Sequence, residues 1–143
     1  MKTKILVLAV AMMTANLQAQ PTITQVIVAP IGGGNFEMVI KGSGFGTASA
    51  FTNDSPNIRI SDVSATPVWE AGYQGQGDWS GDLVQVAVTN WTDTEIDIAS
   101  FAGTYNQYVP LSHFNSDDIL EVQVQKPGTQ SRVTRLRRLD FQH

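Results

Sequence analysis

The chain has 143 residues, nine of them Lys or Arg and 13 Asp or Glu, with no cysteine. The missing cysteine excludes a disulfide framework, a thiol nucleophile and a lipid-bearing cysteine at a processing site. Setting aside Lys2 and Lys4 of the N-terminal segment leaves 7 basic residues against 13 acidic ones, a formal charge of −6. That balance argues against nucleic acid as a partner, because phosphate binding needs Lys and Arg clustered in one footprint.

The order of residues at the start is that of a secretory signal peptide. Lys2 and Lys4 precede an apolar run over residues 5–15, and a polar stretch then ends in the small residue Ala19. Residues 1–19 are predicted to be removed, giving a secreted or periplasmic product. The apolar run is about half of the ~20 residues that a spanning helix needs, so the product is not expected to be embedded in a membrane. Residues 20–143 are the right size for one domain that buries a core without disulfides.

Strand signals then follow one another with almost no helix pattern. Residues 22–28 are rich in β-branched side chains. After the turn Gly32-Gly33-Gly34-Asn35, residues 36–41 alternate with period two until Gly42-Ser43-Gly44-Phe45-Gly46 breaks the pattern. Residues 57–63, 83–89, 94–98, 119–125 and 131–136 give five further strands, the last two joined by a turn at Pro127-Gly128. About seven short strands with one apolar face each predict an all-β fold of two antiparallel sheets, a closed or open barrel being the competing architecture.

The alternation places Ile23 or Val26, Phe36, Met38, Ile40, Ile58, Ile60, Val84, Val86, Val88, Ile96, Ile98, Leu120, Val122 and Val124 inward. Glu37, Lys41, Arg59, Gln85, Glu95, Asp97, Glu121, Gln123 and Gln125 fall on the solvent side. Two segments lack a period and read as long loops, residues 64–82 and residues 101–117. Arg132, Arg135, Arg137 and Arg138 are assigned to the outer face and edge of the last strand, a small anion or phosphate patch being the alternative.

Three segments in order resemble the immunoglobulin-like domains of the IPT/TIG family. These are Val39-Ile40-Lys41-Gly42-Ser43-Gly44-Phe45-Gly46, Asn90-Trp91-Thr92-Asp93-Thr94-Glu95-Ile96, and the closing hairpin from Ile119 to Val133. The resemblance spans roughly residues 21–135 and implies an early-set immunoglobulin-like sandwich without a required disulfide. It implies no activity, since such domains serve as spacers, adhesion modules, or protein- or DNA-contacting units. Phe45 is expected to fold under the bend as a plug and Trp91 to pack in the core. Gly42, Gly44 and Gly46 are expected to supply positive φ or close backbone approach.

Candidate chemistry is sparse. Trp69, Tyr73 and Trp79 lie in the glycine-rich loop beside Glu70, Asp78 and Asp82, a composition suited to stacking on a neutral glycan while carboxylates accept hydroxyl hydrogen bonds. The same residues suit a protein contact, or a lid folded back over the core. Asp78 and Asp82 are close enough in sequence to form an acid–base pair ~5–9 Å apart, but a domain this small offers no cleft for a distorted sugar. No nucleophile–base pair is evident, the histidines being His113 and His143. The chain is therefore read as a non-enzyme with no cofactor. Calcium is the one metal its loops admit, through Asp54, Asn57, Asp117 and Asp118 together with Asp78 and Asp82. The leading expectation is a carbohydrate-binding module; the alternative is a structural, self-associating or protein-binding cell-surface domain.

Overall fold

The computed structural model describes residues 19–65, 69–72, 84–105, 109–110 and 114–140. Their strands, in order, are β1 (Thr22–Gly32), β2 (Asn35–Ser43), β3 (Phe51–Asn53), β4 (Ile58–Asp62), β5 (Trp69–Ala71) and β6 (Gln85–Trp91). β7 (Glu95–Ala102), β8 (Thr104–Tyr105), β9 (Val109–Pro110), β10 (Ile119–Gln125) and β11 (Arg132–Arg138) complete the series. One sheet has the order β1-β2-β7-β6-β3 and the other β11-β10-β4-β5, with β8-β9 as a separate small hairpin. The chain thus forms a two-sheet antiparallel sandwich of immunoglobulin-like type. The strands expected from alternation are β1, β2, β4, β6, β7, β10 and β11, the longer members of the two sheets.

The faces follow the alternation. Met38, Ile40, Ile60, Val86, Ile96, Leu120, Val122 and Val124 are fully buried between the sheets. Ile23 and Val26 are both buried, although they are three positions apart. A bulge at Thr24 between the pairs Ile23–Gly42 and Gln25–Lys41 shifts the phase of β1 and turns both inward.

The two aperiodic loops are shorter than the sequence suggests. Trp69–Ala71 forms β5, pairing with β4 through Asp62–Trp69, Ser61–Glu70 and Ile60–Ala71. Phe101 and Ala102 extend β7, and the β8-β9 hairpin falls within the second segment. Three-residue and two-residue strands carry no detectable period, so only their partners define them.

The two lateral sides of the sandwich differ. On the side of β5 and β6 the sheets are stitched by backbone. The Ser55 amide donates to the Gly72 carbonyl, the Gly72 amide donates to Val84 at 3.2 Å, and Ala71 bridges Val84 in parallel. On the other side, where β1 faces β11, no ladder forms between the two strands. Among the described residues one hydrogen bond crosses that seam, from Arg135 Nη1 to the Ile23 carbonyl at 2.8 Å.

Candidate functional site

The sequence motifs resolve into one structural joint. Gly44 has φ of 74°, which strains any side chain, and a Cβ there would sit 3.2 Å from the Pro21 Cα, a tight contact. Gly42 meets the close-approach part of the expectation and not the positive-φ part. A Cβ at that position would lie 1.8 Å from the Thr22 carbonyl oxygen. The bend is held by the β6–β7 turn. The Asp93 carboxylate accepts from the Gly46 amide at 3.0 Å and the Gly44 amide at 3.3 Å, while its carbonyl accepts from the Phe45 amide at 3.1 Å. Trp91 Nε1 donates to the Phe45 carbonyl at 3.2 Å, and both rings are buried. This joint satisfies backbone groups of the bend within the fold.

The expected aromatic site falls only partly within the described residues. Tyr73, Asp78, Trp79 and Asp82 lie outside them. The Trp69 backbone lies in β5 opposite Asp62. Glu70 is half-buried and forms an ion pair with Arg59 on the neighbouring strand β4. Aromatic contacts among the described residues are internal instead. Phe114 is buried and meets Phe36 and Phe101 edge-on at centroid distances of 5.0 and 5.2 Å. Phe51 and Trp91 meet at 6.5 Å.

The calcium candidates separate. Asn57 accepts the Gln125 amide at the C-terminal end of β10, whereas Asp117 and Asp118 precede its first residue, Ile119. A strand of that length spans roughly 20 Å, so Asp54 and Asn57 cannot share one ion with Asp117 and Asp118. Among the described residues no group of three or more His, Cys, Asp or Glu is placed to hold a metal. Asp118 accepts from the Asn115 amide at 2.6 Å, and desolvation together with the nearby Asp62 carboxylate raises its pKa above the ordinary 3.8. Burial likewise raises Asp54. Asp62 itself is buried and accepts from the Ser64 amide, the Ser64 hydroxyl and the Ala65 amide at 3.0, 2.6 and 3.1 Å. These bonds lock the turn after β4.

The open seam corrects one expectation from the sequence. Arg135 lies opposite Val122 and Arg137 opposite Leu120 on β10. Directly paired residues share a face, and both valine and leucine here are core residues, so the two arginines are on the inner face rather than the outer one. Arg132 and Arg138 keep the expected outer orientation, Arg132 bonding the Gln125 side chain at 2.8 Å and Arg138 lying 3.7 Å from Asp117. Arg135 and Arg137, with Asp140, form one wall of a groove of about 410 Å³, and Thr24–Val28 of β1 form the other. Beyond the link from Arg135 to Ile23, neither arginine has an ion-pair partner within 4.0 Å among the described residues.

The class defined by fold and topology is the immunoglobulin-like β-sandwich. Comparison with family models, curated proteins and solved structures found no match for the chain.

Proposed function

We propose that the chain is an exported, non-catalytic immunoglobulin-like domain, akin to the IPT/TIG type, that works by binding protein. The observation that carries this reading is the free edge of β1. It is eleven residues long, has no charged side chain and, among the described residues, pairs on one side only, with β2. Edge strands of that kind are templates for another chain unless they are short, charged, covered, or broken by bulges or proline. The bulge at Thr24 and Pro30 leave residues 25–29 as the regular open run of β1. The remaining edges are guarded in those ways, β3 and β5 by having three residues each and β11 by its arginines.

Export is supported by the charge–apolar–small order of residues 1–19. The IPT/TIG likeness is supported by the Asp93 joint, which gives its two central motifs one structural purpose. A glycan platform has less support, because Glu70 is already engaged by Arg59. The test is sedimentation velocity of the purified, processed protein across a hundredfold concentration range, alongside a neutral glycan array. Protein-dependent association, with itself or with added peptide, is the expected result. Glycan binding by a strict monomer that takes no peptide would overturn the reading.

A further inference from the structure

We propose that the seam between β1 and β11 is a docking groove for an extended acidic segment of another protein, which adds as a strand to β1. The proposal rests on the protein-binding reading above and names the partner's chemistry. Three observations converge on it.

The first is backbone. β1 pairs with β2 alone, so alternate residues direct both N–H and C=O toward β11, which does not pair with them. Arg135 occupies one of these acceptors, Ile23, at the closed end of the seam. Among the described residues the stretch Thr24–Val28 along the groove has no such cap, and strand addition satisfies a row of that kind directly.

The second is charge. Arg135 and Arg137 look across the groove from the inner face of β11, while Asp140 is the one carboxylate lining it. The groove therefore keeps a positive excess on a chain whose residues 20–131 carry twelve acidic and three basic side chains. These two exposed guanidiniums, with no ion-pair partner among the described residues, favour carboxylates and disfavour a basic strand.

The third is the outer face. Past the bulge at Thr24, Val26 and Val28 turn to the core, and Ile27 turns outward with 39 % of its surface exposed. A strand added to β1 would set one face toward the arginines and the other beside Ile27. The partner segment should then alternate acidic and β-branched apolar residues, each matched to its neighbour across the strands. A second copy of this chain fits less well. Symmetric β1–β1 pairing would bring two arginine-rich β11 edges to the same interface.

The probe is a fluorescein-labelled heptapeptide, Thr-Glu-Val-Glu-Val-Glu-Thr, titrated with the purified protein and followed by anisotropy. Replacing its Glu by Lys, or the protein's Arg137 by Glu (R137E), should weaken binding tenfold or more. R138E makes the same charge change on the outer face and should leave binding within twofold. Methylating alternate peptide amides should weaken binding tenfold in one frame and leave it unchanged in the other, since a strand turns only every second amide to its partner. Absence of binding, equal loss in R137E and R138E, or equal effects of the two methylation frames would each overturn the proposal. A protein that ignores the peptides yet gains mass with concentration loses this groove and keeps the broader reading. One that ignores them, stays monomeric and binds neutral glycans loses both.

Discussion

Trp91 and Phe45, 46 residues apart in sequence, are joined by a hydrogen bond of 3.2 Å from the indole N–H to the phenylalanine carbonyl, with both rings buried. The glycine bend and the β6–β7 turn are thereby one unit, and each motif depends on the other. Trp91→Phe should cost about 1–2 kcal/mol, combining a lost buried hydrogen bond with a partly filled cavity. Trp91→Ala should cost about 3–5 kcal/mol. Urea denaturation followed by far-UV circular dichroism measures both; equal stability of W91F and wild type would show that the hydrogen bond contributes nothing.

Asp93 should matter through its two glycine amides rather than through any ligand. Asp93→Ala leaves the Gly44 and Gly46 amides to water and should destabilise by about 1–2 kcal/mol, given the exposure of these bonds. Gly44→Val, at φ of 74°, should cost more than ~1 kcal/mol by itself. In the double variant the losses should fall short of additive, because both disturb the same bend. Strict additivity would mean that the carboxylate does not hold it.

Much of this joint is legible in the amino-acid sequence. Gly-x-Gly-Phe-Gly and Trp-x-Asp-Thr both stand out there, and so does the plug role of Phe45. Their coupling does not, since alternation reports which face a residue takes and says nothing about which amide lacks an acceptor. β3 and β5 are hidden because three residues carry no period. Arg135 and Arg137 depart from expectation for a different reason. A charged residue is assigned outward by default, whereas at a sandwich edge the inner face is open to water and tolerates a guanidinium. The pairs Arg135–Val122 and Arg137–Leu120 follow only from the β10–β11 register, which the turn at Pro127-Gly128 fixes.

Asp118 should give stability a definite pH dependence. Its folded pKa lies above 3.8, chiefly through desolvation, so the folded state binds this proton more tightly than the unfolded chain. The resulting stabilisation is complete below 3.8 and is lost as pH rises through the folded value. Asp118→Asn keeps an acceptor for the Asn115 amide and should flatten that decline without lowering stability at about pH 7. Urea midpoints of both proteins from about pH 3 to 7 make the comparison. An unchanged slope would show that Asp118 does not carry it.

Glu70 should behave as half of a structural pair. Glu70→Gln should cost no more than ~1 kcal/mol, because the ion pair with Arg59 is partly solvated. Double-mutant cycles with Arg59→Gln should return a coupling of that size. If E70Q instead leaves stability untouched and abolishes binding of a neutral oligosaccharide, Glu70 belongs to a glycan site.

The central claim is that β1 presents a free backbone edge to the arginine-walled seam. Residue-resolved amide exchange on the dilute, purified protein tests it without a ligand. Slow exchange is expected over residues 38–41 of β2 and 120–124 of β10, the stretches paired on both sides. Within β1, alternate amides over residues 25–29 should exchange far faster than their neighbours, and the acidic heptapeptide should slow those same amides. Uniform protection along β1 in the free protein would mean that the edge is already paired, and would contradict the claim.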